Sequence, residues 1–437
     1  MSLRPFPFLV LAVLAVSLPR GALTQLPGPG GCVSTPGGHP GCAHARGLRG
    51  ASALAVSPDG KSVYATSDFA GKGAIAVFAR DPRTHALTQL RGSAGCVSSD
   101  GSGGSCAKGA ALHGTTAIAV SPDGRNVYAI SSYGHGDGIS VFARDPRTGA
   151  LAQFPGTDGC ITLTGTAGAC ATGTETFFVG GVGSIAVSAD GRSVYAVSVG
   201  AVDVFARDPA TGALGQLAKP LGCVGGSSSA GSCTKGRGLL DAKVVAVSPD
   251  GRNVYVAGGS GDSNTPTGDL AVFERDPATG ALTQATDASG CLSETDSTCA
   301  RASPDVEDPT AVVVSPDGRF VYLAAFGLVT FSRTAATGAL RPVGKTAFSA
   351  SDLALSPDSL NLYAPAAHEN AVDVFSRDRA TGGLRPLPAP GGCVAEKSSR
   401  CARARPLDQL QAVAASSDGR NVYVVARDAV VAFARRG

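Results

Sequence analysis

Short apolar runs alternate with polar turns along the whole chain, and the same arrangement returns seven times. One copy opens on the turn Ser121-Pro122-Asp123-Gly124 and runs through Val127-Tyr128 and Val141-Phe142. It ends on Arg144-Asp145-Pro146-Arg147-Thr148-Gly149-Ala150-Leu151. The opening turns start at Ser57, Ser121, Ser188, Ser248, Ser315, Ser356 and Ser416. Val, Ile, Tyr, Phe and Thr are prominent in the runs, and no helical period competes. In the first copy the pattern predicts strands at Ser52–Ser57, Ser62–Thr66, Ala74–Ala79 and Ala86–Leu90. Four short strands per copy of about sixty residues predict sheets that bury their faces against their neighbours.

The turn residues explain themselves chemically. Pro presets φ, Asp bonds nearby backbone N–H groups, and Gly supplies the left-handed residue that closes the hairpin. Ser359 stands where the other turns have Gly, so strain is expected there if the turn keeps its shape. His85 likewise replaces the Gly of the second hairpin. Seven Tyr (Tyr64, Tyr128, Tyr195, Tyr255, Tyr322, Tyr363, Tyr423) recur after an apolar residue, usually Val. Seven Phe (Phe78, Phe142, Phe205, Phe273, Phe331, Phe375, Phe433) recur in the third strands. One residue type at one place in every unit is expected to be packing, at roughly 1.5–3 kcal/mol per buried ring. The neighbouring Arg and Asp of the second hairpin suggest a surface ion pair worth about 0–1 kcal/mol.

The two ends complete each other. Ala22-Leu23-Thr24-Gln25-Leu26 repeats Ala86-Leu87-Thr88-Gln89-Leu90, a fourth strand without its first three. The chain finishes on Val430-Val431-Ala432-Phe433, a third strand without its fourth. The expected fold is therefore all-β: a monomeric seven-bladed β-propeller of four-stranded antiparallel blades. Its N-terminal strand pairs with the C-terminal blade, which removes exposed sheet edges.

Composition adds limits. Of 437 residues, 43% are hydrophobic and 16% charged, with 37 basic against 34 acidic and a net charge of +3. That balance, with no basic run, argues against nucleic acid as a partner. Arg4 followed by an apolar run from Phe6 to Leu18, with Ala15 and Ser17 before the cut, reads as a signal peptide over 1–17. The run is too short to span a bilayer. Residues 18–437 are then one propeller domain of a secreted, extracellular protein. The twelve Cys fall in six close pairs: Cys32 with Cys42, Cys96 with Cys106, Cys160 with Cys170, Cys223 with Cys233, Cys291 with Cys299, and Cys393 with Cys401. On an exported chain these read as disulfides, because metal sites want shorter spacings or added His. Six of seven connections between units carry a pair, and the connection from Pro342 to Ser351 carries none.

The repeats Ser-Pro-Asp-Gly-x-x-Val-Tyr and Val-Phe-x-Arg-Asp-Pro-x-Thr-Gly-x-Leu resemble those of the lactonase-type seven-bladed β-propellers. That family includes 6-phosphogluconolactonase-like and muconate-cyclase-like proteins and grades into YVTN surface repeats. The resemblance covers nearly all of the chain after the signal. It implies the fold, and it implies His, Arg and acidic residues on the inner strands facing the central channel. A His-Pro-His stretch before the first strand is absent here. The inner-strand starts, from Gly50-Ala51-Ser52 to Leu410-Gln411-Ala412, are mostly small and neutral.

Candidate chemistry lies where the repeat stops repeating. His113 is a base candidate at the channel mouth. Asp241, Lys243, Asp308, Asp352 and Gln411 enter inner strands and are candidates for a polar ring that binds a small ligand. Asp203 and Asp373 are expected to be buried and structurally bonded. Gly261 to Asp269 is rich in oxygen ligands but lacks the EF-hand order, so no metal and no cofactor is expected. His368-Glu369-Asn370 is a polar loop without an assigned partner.

Two readings remain open. The first is a secreted, non-enzymatic binding or scaffold protein. It would use the disulfide-pinned face and channel mouth to hold a small ligand or a protein or cell-surface partner. The second is a lactonase-type hydrolase or isomerase acting on a small lactone or carboxylate in the channel. The pinned loops favour the first, and the family resemblance favours the second.

Overall fold

The structure, a computed structural model, describes residues 18–132, 138–173, 183–198, 200–226, 232–259, 267–301, 306–366 and 368–437. The expected signal segment, 1–17, lies outside the described residues, as does most of the oxygen-rich loop after Gly259. Seven separate sheets form seven blades. In blade 1 the inner strand is Ala51–Val56, the second Ser62–Phe69 and the third Lys72–Arg80. The inner strands of blades 2 to 7 are Thr115–Val120, Ile185–Val187, Ala242–Val247, Ala311–Val314, Ala354–Leu355 and Ala412–Ala415. Blade 7 is closed by the N-terminus. Leu23 pairs with Arg435, Thr24 with Ala434 and Gln25 with Phe433. Cys32 to Ser34 then continues the same edge against Val431 to Ala429.

The outer strand differs from the expected simple fourth strand. In six blades it comes in two pieces on one third strand. In blade 1 Leu87–Gln89 pairs with Arg80 to Phe78, and Cys96–Ser98 pairs with Ala76 to Ala74. The first Cys of each pair is therefore part of the sheet. The loop after it returns as a two-residue strand, Ala107–Lys108, parallel to Cys96–Ser98.

All six expected disulfides are formed, and each fastens this extra strand to its blade. Cys32 is bonded to Cys42 on blade 7, and Cys96 to Cys106 on blade 1. Cys160 is bonded to Cys170 on blade 2, and Cys223 to Cys233 on blade 3. Cys291 is bonded to Cys299 on blade 4, and Cys393 to Cys401 on blade 6. These twelve residues belong to the scaffold. Cys42, Cys106, Cys170, Cys233, Cys299 and Cys401 stand immediately before the short returning strand, where the bridge holds it in register.

A Gln from the next blade clips the return. Gln89 exchanges two hydrogen bonds with the Arg46 backbone, Gln153 with Ala110 and Gln284 with Arg237. Blade 5 lacks the Cys pair and has a continuous outer strand, Leu340–Thr346. Blade 6 accordingly has Pro386 where the clipping Gln would stand.

The aromatic repeats meet at the seams as expected. Each of seven buried clusters joins two blades and holds the Tyr of one and the Phe of the next, such as Tyr64 with Phe142 or Tyr423 with Phe78. The Tyr are more than packing, however. Tyr64 Oη donates to the Gly149 carbonyl (2.8 Å) and accepts from Arg144 Nε (2.8 Å). Gly149 has φ 81°, and a Cβ there would lie 2.2 Å from Ser62 Oγ.

The hairpin Arg also corrects its expectation. Arg80, Arg144, Arg207, Arg275, Arg333, Arg377 and Arg435 are buried rather than at the surface. Each pairs with the turn Asp of the preceding blade, not with the Asp beside it. The adjacent Asp caps its own turn instead, as Asp81 does for the N–H groups of Arg83 and Thr84. Among the described residues no helix is long and apolar enough to cross a membrane.

Candidate functional site

The inner strands surround the central channel, each buried position in them being followed by two half-buried ones. Five residues before each turn Ser, the seven blades carry Ser52, Thr116, Gly183, Lys243, Thr310, Ser351 and Gln411. One residue further on they carry Ala53, Ala117, Ser184, Val244, Ala311, Asp352 and Ala412. The first ring has one charged member, Lys243, and the second has one, Asp352. The channel is otherwise small and neutral, as the inner-strand starts suggest.

Lys243 does not stand alone. Its Nζ lies 2.5 Å from Asp308 Oδ1 of the next blade, with both side chains about one-third exposed. Asp308 occupies the backbone position before the inner strand that Gly50 and Gly114 fill in blades 1 and 2. It holds the same left-handed conformation, φ 45° against 69° and 64°. A non-Gly residue kept there at a steric cost points to a side-chain role.

Asp308 opens onto a cavity of about 240 Å³ between blades 5 and 6, whose walls include Thr310, Phe326, Ser351 and His368. Thr310 Oγ1 donates to the Ala350 carbonyl (2.7 Å). Asp308 and the His368 imidazole thus line one cavity, and Asp308 is held by Lys243. Thr310 and Ser351 were not legible as site residues in the sequence, and His368 was legible only as part of a polar loop without an assigned partner. They come from a second-to-third-strand loop and from two inner-strand entries, and only the ring brings these together. The one available signal was that His368 departs from any repeat pattern.

The other predicted residues go elsewhere. Asp352 Oδ1 accepts from its neighbour Leu353 N (2.8 Å), and Oδ2 accepts from Val413 N of blade 7 (2.8 Å). Burial pushes its carboxyl up to about 6 against those two N–H groups. It does for blades 6 and 7 what Ser184 does for Val245 in blades 3 and 4. His113 is exposed, with Nδ1 3.0 Å from the Gly71 carbonyl. Gln411 is exposed and bonds the nearby Gln409 carbonyl (3.4 Å). Asp241 lines a different cavity, between blades 3 and 4. Of the two suspected structural acids, Asp203 is buried and accepts from Gln216 Nε2 (3.0 Å). Asp373 has no such Gln, since Pro386 replaces it. Burial and then Glu369 raise its carboxyl to about 6.

Residues 267–396 match a family described as "Lactonase, 7-bladed beta-propeller". The chain is a seven-bladed propeller, and this stretch of it is similar to that family. The matched stretch contains every wall of the 240 Å³ cavity, and Lys243 lies outside it. Solved structures with the same fold include a putative 6-phosphogluconolactonase from Bacteroides fragilis. It is 17% identical, covering 76% of this chain and 82% of that one at TM-score 0.51. The periplasmic gluconolactonase of Pseudomonas aeruginosa is 19% identical over 77% and 84% of the two chains, at TM-score 0.53. At such identities the likeness of the propeller to these proteins is one of fold. No curated protein sequence matches the chain.

Proposed function

We propose that this propeller is a lactonase-type hydrolase that opens a small lactone at the mouth between blades 5 and 6. The observation that carries the reading is that Asp308 and His368 line one small cavity inside the lactonase-matched region, with Lys243 of the preceding blade paired to Asp308. In this reading His368 takes a proton from water as the water oxygen bonds to the lactone carbonyl carbon. Lys243, fixed by Asp308, stabilises the oxyanion that forms. The ring C–O bond then breaks, and the proton passes to the departing alkoxide. The product is an open hydroxy acid, whose carboxylate the same Lys243 would hold.

The test is a pH-stat assay with glucono-1,5-lactone and simple five- and six-membered lactones. His368→Ala and Lys243→Ala should each lower kcat/KM by about 100-fold or more. Lactone opening no faster than in buffer would sink the proposal.

We place the protein outside the cytosol. Six disulfides fit an oxidising compartment, and the apolar Phe6 to Leu18 run behind Arg4 fits export. A phosphorylated sugar lactone is then a poor substrate, because it would be found inside the cell. The binding or scaffold reading keeps one specific support, the six outer loops fastened by disulfides, four of them also held by a Gln clip. It predicts ligand-induced stabilisation without turnover.

A further inference from the structure

Phe326 is 55% exposed, more than any other large apolar side chain among the described residues. It stands in the turn between the second and third strands of blade 5, flanked by Ala325 and Gly327. A lone exposed ring is ordinary on a protein surface. This one, however, forms a wall of the cavity that holds Asp308 and His368. Its backbone is fixed beside the acid. Phe326 N donates to the carbonyl of Glu307 (3.3 Å), the residue before Asp308, and Ala325 N donates to the Gly327 carbonyl (2.9 Å). Blade 1 carries Phe69 at the corresponding turn, but there the Arg49 guanidinium covers the ring, 3.5 Å from its centre. Among the described residues no ring or guanidinium stacks on Phe326.

The rest of the cavity offers little to a ligand rich in hydroxyls. Ala325 and Ala350 are apolar walls. Of the three hydroxyls on the walls, two have their protons committed to the protein: Thr310 Oγ1 donates to the Ala350 carbonyl and Ser351 Oγ to the Pro365 carbonyl (3.4 Å). Blade 5 has no disulfide return, so the wall formed by Ala350 and Ser351 comes straight off its outer strand. Phe348 anchors that connection, edge-on to the Phe375 ring at 5.2 Å. Burying a hydroxyl without a partner costs affinity, whereas burying methylenes adds to it.

We infer that the mouth between blades 5 and 6 selects lactones carrying an alkyl substituent, laid against the open Phe326 ring, over polyhydroxylated sugar lactones. This selectivity rests on the lactone-opening reading of the same site and adds to it the class of substrate. The carbonyl end of the lactone goes to His368 and Lys243 in that reading, and Phe326 is left to the carbon chain. Phe326 then determines specificity and takes no part in breaking the ring bond.

The experiment measures kcat/KM of the full propeller by pH-stat for glucono-1,5-lactone, δ-valerolactone, δ-hexalactone, δ-octalactone and δ-nonalactone. Each methylene buried should raise kcat/KM by about fourfold. The best alkyl lactone should exceed glucono-1,5-lactone by about 100-fold or more. Phe326→Ala should cut the ratio of δ-nonalactone to δ-valerolactone by about tenfold, mainly through KM. Phe326→Leu keeps an apolar wall and should restore most of that ratio. Each ratio is taken within one variant, so a partial loss of folded protein cancels from it. If no lactone opens faster than in buffer, the lactone-opening reading falls and the selectivity with it. If lactones open but kcat/KM is flat in chain length, the selectivity alone is overturned. It is likewise overturned if glucono-1,5-lactone is the best substrate or if Phe326→Ala keeps the wild-type ratio.

Discussion

Arg144 Nη2 of blade 2 lies 3.0 Å from both carboxylate oxygens of Asp59 in blade 1. The same guanidinium reaches Tyr64 Oη through Nε and the Gly124 carbonyl through Nη1. One side chain therefore joins the turn, the Tyr and the hairpin of two blades; an equivalent Arg joins turn and hairpin at every seam and bonds the Tyr through Nε at five of the seven.

Breaking this clamp from one side should be costly. Arg144→Met should destabilise the propeller by about 3–5 kcal/mol, because Asp59 and Tyr64 lose a buried partner together. Chemical denaturation measures it. A double-mutant cycle with Asp59→Asn should show strong coupling, and additive effects would mean the contact is incidental.

Acid should release the clamps. Desolvation pushes the Asp418 carboxyl upward, but the Ser416 hydroxyl, the Arg420 N–H and Arg80 outweigh it and hold the pKa at about 2. Asp59, Asp123, Asp190, Asp250, Asp317 and Asp358 are lowered by the same balance. A folded pKa below the unfolded one adds stability above about pH 4, and that stability disappears as pH falls toward 2. Thermal unfolding followed from pH 5 to pH 2 should show a steep loss in that window. In Asp418→Asn the loss should be shallower.

Asp373 should behave in the opposite sense. Its folded pKa of about 6 lies above the unfolded value, so its contribution to stability is full below about pH 4 and lost as pH rises to 6. Asp373→Asn should therefore raise stability by about 1 kcal/mol above pH 6. The gain should vanish below about pH 4. A gain independent of pH would mean that charge is not its cause.

Ser359 and His85 occupy Gly positions with φ 57° and 63°. The expected strain at Ser359 is present, and its turn keeps the Ser359 N to Ser356 O bond at 2.8 Å. Ser359→Gly and His85→Gly should each stabilise by about 1 kcal/mol, with unchanged circular dichroism. Destabilisation by either would show that the side chain has a role beyond filling the turn.

The repeat by itself determined the blade number, the strand order, the closure by Leu23 to Gln25 and the six cysteine pairs. These follow from local turn chemistry, apolar alternation and matched chain ends, all of which are written along one dimension. The seams were not legible. Arg144 and Asp145 are neighbours in the chain, yet Arg144 bonds Asp59, 85 residues away. A pattern repeated in every unit cannot say which copy a residue reaches. The site was legible only in part. Lys243 and Asp308 stood out as departures from the repeat, but their pairing and the arrival of His368 depend on the ring.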